Sequence, residues 1–464
     1  MNTQTNIIKR PFGKRDKIGY LFGNLANDFT FQFASMYLLI YYTKVLGIGA
    51  GFVGTLFLVA RCFDAFTDVT MGNICDRSKA TKEGKFRPWI KRFSIPVALT
   101  SILMYNYFIA DMPMMFKYIY VIVTYLLWGS ICYTGVNIPY GSMASVITGD
   151  SKERAGLSTF RSIGSMIAGL GIGMLTPQLV YLKDEAGNSI ASGHRFFLVS
   201  IAFSVIALIC YAIFYKNCEE RVELPAVEHS KDNSIKEDLK FLMKDKAFLS
   251  IIGIALFTLV ASQIGMALNQ YLFLDYFGNT QLMSVVMLVQ TLGMFVAAPF
   301  AGKLTEKFGK KEAGTASLGI GAIIYVLIYV LKVDNAMVYI VLQFLLNIAL
   351  GYYSLVNYAY LTDVIDHYQV KSGKRKDGTV YAVYSFVRKL GQALAGAIGG
   401  WTLALIGYDS AATVQTAEVK NSIFGVTVGV PALCYLISAL LIFVVYPLTK
   451  KKVLENAEIV TKGE

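Results

Sequence analysis

Charge is what this chain has least of: only 16% of its 464 residues are charged, where a soluble domain carries about 25%. With 55% hydrophobic residues, that deficit excludes an ordinary soluble protein and points to a polytopic membrane protein. Histidine is scarce as well. The three residues, His194, His229 and His367, lie at loops or helix ends, so carboxylates must carry any protons through the membrane. The six cysteines (Cys62, Cys75, Cys132, Cys210, Cys218, Cys434) show no paired or metal-like spacing, so no disulfide framework or zinc site is expected. No nucleophile–base pair, metal motif or phosphate loop appears, so an enzyme is not expected, nor any cofactor. The first seventeen residues lack an apolar core, which argues against a cleavable signal peptide.

What is present is a series of apolar runs. Twelve spans are expected, at 18–46, 52–75, 88–110, 117–148, 156–181, 195–215, 248–278, 281–302, 314–332, 337–365, 379–406 and 421–447. Each approaches or exceeds the ~20 residues a bilayer requires. Lys and Arg test the topology. Of 43, 33 belong to the two tails and the even-numbered gaps, 6 to the odd-numbered gaps, and 4 lie inside spans. This bias predicts that both termini are cytoplasmic. It also accounts for the net charge of +12 as membrane orientation, with no need for nucleic acid. The expected domains are a six-helix bundle over 1–215, a cytoplasmic connecting loop over 216–247, a second bundle over 248–447 and a cytoplasmic tail over 448–464. Within the connector, 235–246 reads as a surface helix or as plain linker. A short repeat supports two related halves: Gly72 to Asp76-Arg77 after span 2, and Gly302 to Glu306-Lys307 after span 8, share the form Gly-x-x-x-acid-base.

The most informative stretch is Arg61 to Asp68. Arg61, Asp64 and Asp68 are spaced i, i+3, i+7 and share one helix face in the middle of span 2. Each charge at a bilayer centre costs roughly 2.5–3.5 kcal/mol on insertion scales. Such a stripe must face protein or a wet cavity, where it sums to one net negative charge. A structural ion pair needs only one of the two acids; the second outlines a cation site.

Other intramembrane polar residues extend the site. In span 1, Asn24, Asp28, Gln32 and Ser35 follow helical spacing, and Asp28 is a candidate ligand contact. Span 4 holds Tyr133, Thr134 and Asn137 before Pro139, where a kink is expected to free backbone carbonyls. Arg161 in span 5, flanked by Ser158, Ser162 and Ser165, either grips substrate or neutralises Asp28, Asp64 or Asp68. Span 11 carries a stripe of Tyr381, Tyr384/Ser385, Arg388/Lys389 and Gln392. Of the adjacent cations, Lys389 is expected to face the cavity, while the other snorkels or pairs with Asp363 or Asp366.

On Gly54 to Asp68, Gly84-Lys85-Phe86-Arg87-Pro88, Val136-Asn137-Ile138-Pro139-Tyr140-Gly141-Ser142 and Ser385-Phe386-Val387-Arg388-Lys389, the chain resembles the glycoside–pentoside–hexuronide:cation symporters of the major facilitator superfamily. The resemblance covers nearly all twelve spans. It implies an all-α membrane protein of two six-helix bundles related as parallel repeats. It also implies symport of a glycoside with H⁺ or Na⁺. Asp64, Asp68 and Thr134 are then cation ligands (a metal site if the ion is Na⁺), joined by Asn137. Asp28, Asn24, Arg161, Asn137, Tyr133, Tyr384 and Lys389 would contact the sugar, and Arg61 and Lys389 would balance charge. Family members that carry melibiose have a carboxylate at the position of Asn137 and a tryptophan at that of Gly141. The form found here is similar to that of glucuronide carriers and, less sharply, of xyloside carriers. Burial favours protonation of a carboxylate, so H⁺ is expected ahead of Na⁺. The partners expected are a small sugar and the lipid bilayer, with the chain acting as a monomer in the inner (plasma) membrane. A lipid-translocating carrier of the same fold is the alternative from another class.

Overall fold

The computed structural model describes residues 10–81, 83–185, 187–222, 242–373 and 377–462. The helices are α1 (Lys14–Ile40), α2 (Ala50–Arg77), α3 (Arg87–Met104), α4 (Met114–Leu126), α5 (Thr134–Ile147), α6 (Ser151–Val180), α7 (Gly193–Asn217), α8 (Lys246–Tyr271), α9 (Leu282–Phe308), α10 (Lys310–Val330), α11 (Ala336–Ser372), α12 (Asp377–Leu405), α13 (Ala417–Leu440) and α14 (Lys450–Lys462). α4 runs into α5 through a π-helical segment, Leu127–Tyr133, so the two form one stretch. The stretches through α13 therefore number twelve among the described residues and follow the twelve expected spans in order. Between α6 and α7 the chain makes a small hairpin, β1 (Tyr181–Lys183) antiparallel to β2 (Ser189–Ala191), which the apolar pattern did not foretell.

Nine of the twelve are long and apolar enough to cross a membrane by composition alone, among the described residues. The three that fall short are α1, α3 and α12. For two of them the sequence explains it: α1 carries Asn24, Asn27, Asp28 and Gln32, and α3 begins with Arg87, Lys91 and Arg92; in α12 the apolar stretch among the described residues is Leu390–Leu405. Two of these three helices are ones on which candidate site residues sit.

The chain divides into two compact units, 1–49 with 59–228 and 50–58 with 229–464. Of the expected connector, residues 223–241 lie outside the described residues, and with them most of the proposed 235–246 surface helix. α8 begins only at Lys246, capped by Asp245, whose Oδ1 accepts from the backbone N–H groups of Ala247 (2.8 Å) and Phe248 (3.2 Å).

In the first unit α1 lies against α6 and α7. Glycine permits the approach: a Cβ on Gly164 would stand 2.8 Å from the Leu21 carbonyl oxygen, and one on Gly23 2.5 Å from the Tyr140 ring. Tyr140 stacks on Tyr20 at 4.7 Å and donates its hydroxyl to the Tyr20 carbonyl at 2.8 Å. Gly164→Val would force α1 away from α6, and overpacking of this kind costs about 1–3 kcal/mol. A melting temperature lowered by several degrees in detergent is expected, and an unchanged one would show that the contact yields freely.

The sequence motif 84–88 has a structural reason. Glu220, just beyond α7, accepts the backbone N–H groups of Lys85 (2.7 Å), Phe86 (2.7 Å) and Arg87 (2.9 Å), so its carboxylate closes the N-terminus of α3. Gly84 adopts φ +114°, and a Cβ there would lie 2.5 Å from that carboxylate. The Gly-x-x-x-acid-base repeat shows a parallel in the two units. A lysine caps the backbone carbonyl of each acid: Lys85 Nζ on Asp76 O at 2.9 Å, and Lys450 Nζ on Glu306 O at 2.5 Å. Positive charge at these helix C-termini complements the helix dipole.

Candidate functional site

The first cluster is built on α2. Helical spacing brings Arg61 Nη1 within 3.2 Å of Asp64 Oδ2, an ion pair between i and i+3. The facing residues come from the π segment and the first turn of α5. Ser130 donates to Asp64 Oδ1 at 2.5 Å, and Thr134 Oγ1 lies 2.9 Å from Asp68 Oδ1. Two carboxylates four residues apart thus meet two hydroxyls four residues apart, as two parallel helices in register require. Thr134 Oγ1 also lies 3.2 Å from the Gly129 carbonyl, so one hydroxyl proton faces two acceptors. With Arg61 the cluster keeps a formal charge of −1. The Arg61 guanidinium also sits 5.0 Å from the Phe31 ring.

The second cluster joins α1 to α6. Asn24 Nδ2 donates to Asp28 Oδ2 at 2.8 Å and lies 2.9 Å from Ser165 Oγ, and Ser165 also donates to Asp28. Gln32 Nε2 reaches the Ser165 carbonyl at 3.1 Å. Arg161 Nε donates to Asn24 Oδ1 at 3.2 Å, and its guanidinium lies 5.7 Å from the Tyr140 ring. Between the clusters Tyr133 stacks on Phe31 (5.3 Å), with Trp128 5.6 Å from Tyr133.

The structure thus brings Arg61, Asp64, Asp68 and Thr134 together, and separately Asn24, Asp28 and Arg161, with Tyr133 in the aromatic layer beside Phe31. Three placements refine the expectations. Arg161 forms no ion pair with Asp28, Asp64 or Asp68 among the described residues; it reaches Asp28 through Asn24 and also bonds the Tyr20 side chain. The backbone irregularity falls at Leu127–Tyr133, upstream of Pro139, and α5 passes through Pro139 as α-helix. The reason is that the wider turn places Ser130 and Thr134 opposite the two acids. Asn137, half-buried on α5, makes no hydrogen bond to either carboxylate among the described residues.

In the second unit, Tyr384 donates to Asn357 Oδ1 at 3.0 Å. Arg388 Nη1 donates to Tyr358 Oη at 2.6 Å, and of the alternatives expected for it the Asp363 pair is not formed, since Lys310 holds that acid at 2.6 Å. The Lys389 side chain lies outside the described residues. Tyr384 and Arg388 line a polar cavity of about 280 Å³ with Thr258, Asn347, Ser354 and Asn357. A larger groove of about 870 Å³ between α10 and α13 is walled mainly by apolar side chains such as Val326, Leu433 and Leu436.

Sequence reasoning missed Ser130, although its place four residues before Thr134 repeats the Asp64–Asp68 interval. It also missed Asn347 and Asn357, whose amides lie in the same span as Gln343 and Ser354.

A twelve-span helical chain with charged and amide side chains buried in its spans has the build of a membrane transporter, and the comparisons agree. The profile of the family described as MFS/sugar transport protein matches residues 19–450. The chain is 31% identical to the Bacillus subtilis "Uncharacterized symporter YjmB" (96% of this chain, 94% of that one). It is 31% identical to the Escherichia coli "Glucuronide carrier protein homolog" (94% and 93%). It is 29% identical to the "Isoprimeverose transporter" of Lactiplantibacillus pentosus (92% and 87%). Among solved structures, a bacterial homologue of the human lysosomal transporter Spinster superposes with a TM-score of 0.66 at 14% identity, covering 96% of this chain and 99% of that one, which shows the fold. The chain therefore belongs to the sugar-transport family of the major facilitator superfamily, among the glycoside–pentoside–hexuronide:cation symporters. It is a multi-pass membrane transporter for a small sugar molecule and not an enzyme.

Proposed function

We propose that the chain is a secondary active symporter that couples inward movement of one cation to uptake of a glycoside, with a glucuronide or other hexuronide as its substrate. The observation that carries the coupling is the α2 cluster: two carboxylates, one arginine and two hydroxyls in two hydrogen-bonded sets one helical turn apart, with a net formal charge of −1. One bound cation makes it neutral, and only the neutral form reorients cheaply, because an uncompensated buried charge costs several kcal/mol. In this reading Asp64, Asp68 and Thr134 hold the cation, with Arg61 setting the charge. Asn137, one turn beyond Thr134, joins the cation ligands and contacts the sugar. Asp28, Asn24 and Arg161 hold sugar hydroxyls through the α1–α6 network, Tyr133 offers a ring face, and Tyr384 and Lys389 contribute from α12.

H⁺ is the coupling ion in the first place. A proton on Asp68 would donate to Thr134, which frees the threonine hydroxyl to donate to the Gly129 carbonyl and satisfies both acceptors. The Ser130 contact favours a second reading. With its proton directed to Asp64, the serine oxygen adds a hard ligand to the carboxylates and Thr134, a set suited to Na⁺. The hexuronide assignment is supported by the Asn137-to-Ser142 form and by the likeness to a glucuronide carrier homologue. The likeness to an isoprimeverose transporter supports xylosides or other pentosides as the alternative. The proposal includes two six-helix halves joined over 216–247, cytoplasmic termini, an inner-membrane location and action as a monomer.

The test is uptake into vesicles. An imposed inward proton gradient should concentrate an aryl glucuronide at least tenfold with no sodium present. Accumulation that requires sodium selects the second reading. Accumulation of xylosides with no competition from glucuronides would refute the hexuronide assignment.

A further inference from the structure

We propose that the cavity inside the second unit binds a sugar acid, and that Arg388 is the group that recognises its carboxylate. The inference rests on the hexuronide reading above and assigns the determinant of that specificity.

Arg388 lies well inside α12, where a guanidinium tolerates only polar or wet surroundings. It lines the 280 Å³ cavity, which has room for about one sugar ring at the small end of ligand-pocket sizes of roughly 300 Å³. Its described polar contact is the 2.6 Å bond from Nη1 to Tyr358 Oη, with that phenol ring 5.9 Å away. No carboxylate pairs with it among the described residues, and Asp363 nearby on α11 is occupied by Lys310. A guanidinium carries five N–H donors, so a donor fork remains for an anion.

The other lining groups complete a pattern. Thr258 spends its hydroxyl proton on the Ile254 carbonyl (2.7 Å) and Ser354 spends its own on the Leu350 carbonyl (3.1 Å), so both oxygens can only accept from a ligand. Asn347 donates its amide to the Gln343 carbonyl at 2.8 Å, which leaves its oxygen as a further acceptor. Asn357 is oriented oppositely: its oxygen takes the Tyr384 hydroxyl at 3.0 Å and the Tyr353 hydroxyl at 3.4 Å, so its amide N–H groups remain as donors. The cavity therefore offers acceptors for several hydroxyl protons and a cationic fork for one anion. A neutral sugar leaves the fork unmatched, and an inorganic anion leaves the acceptors unmatched. A uronic acid matches both.

The experiment uses the full-length protein in proteoliposomes and two probes with one aglycone, an aryl β-D-glucuronide and the corresponding glucoside. Charge-assisted Arg–carboxylate bonds make Arg388→Gln lose glucuronide uptake by on the order of 10- to 100-fold more than glucoside uptake. Arg388→Lys should fall between, since it keeps the charge and loses the fork; it carries the same comparison if Arg388→Gln fails to reach the membrane. If wild type takes up the glucuronide and both substitutions reduce the two probes equally, the assignment of Arg388 is overturned while the hexuronide reading stands. If wild type takes up the glucoside and not the glucuronide, the hexuronide reading fails and this inference fails with it.

Discussion

Asp68→Asn is expected to abolish uphill accumulation of the glycoside while exchange of labelled sugar between two equal pools stays measurable. The amide can still bond Thr134, now 2.9 Å from Asp68 Oδ1, so local packing is retained. What goes is the negative charge. The cluster of Arg61, Asp64 and residue 68 becomes neutral without a cation, so the empty site reorients as cheaply as a loaded one and the gradient no longer drives the sugar. Coupling is lost because the free-energy difference between loaded and empty forms, several kcal/mol for an uncompensated buried charge, disappears. The measurement is the ratio of internal to external sugar under an imposed proton or sodium gradient, together with counterflow. A ratio still well above unity would mean the cation binds elsewhere.

Asp28→Asn is expected to lose both accumulation and exchange, by about 100-fold or more. Asp28 accepts from Asn24 and Ser165, and Asn24 in turn orients Arg161 through a 3.2 Å bond. Hydrogen bonds to a charged group are worth about 1.5–3 kcal/mol each. An amide at position 28 weakens two of them, turns one acceptor into a donor and lets Asn24 rotate. The Arg161 fork is then misplaced for substrate. Ligand protection against thermal unfolding should vanish in parallel. Exchange at wild-type rates would reduce Asp28 to a bond between α1 and α6.

The two substitutions separate the two clusters, which the chain reads as distinct. The α2 stripe was legible because its charges share one helix face at i, i+3, i+7 in the midst of an apolar run, where each charge is costly. The α1 face was legible for the same reason. Less legible was what each residue would touch. Arg161 looked equally suited to gripping substrate and to neutralising an acid, and only the structure shows that it reaches Asp28 through Asn24 and not by a direct ion pair. For Arg388 the sequence left snorkelling, Asp363 and Asp366 open, and only the structure shows that Lys310 already occupies Asp363 at 2.6 Å. Ser130 carried a faint signal, its interval to Thr134, which acquires meaning only once α2 is seen to lie beside it.

By itself the sequence determined the twelve helical stretches, their order and the polar stripe on each. Hydropathy and helical periodicity are local properties, and a bilayer leaves no other way to satisfy backbone hydrogen bonds in spans of that length. Only the tertiary structure decided which stripes meet. Lipid is as apolar as a leucine face, so the apolar pattern says little about which helix packs on which. The π segment Leu127–Tyr133 then changes the facing of every side chain after it, which the 3.6-residue period does not anticipate. That one wider turn sets Ser130 against Asp64 and Thr134 against Asp68.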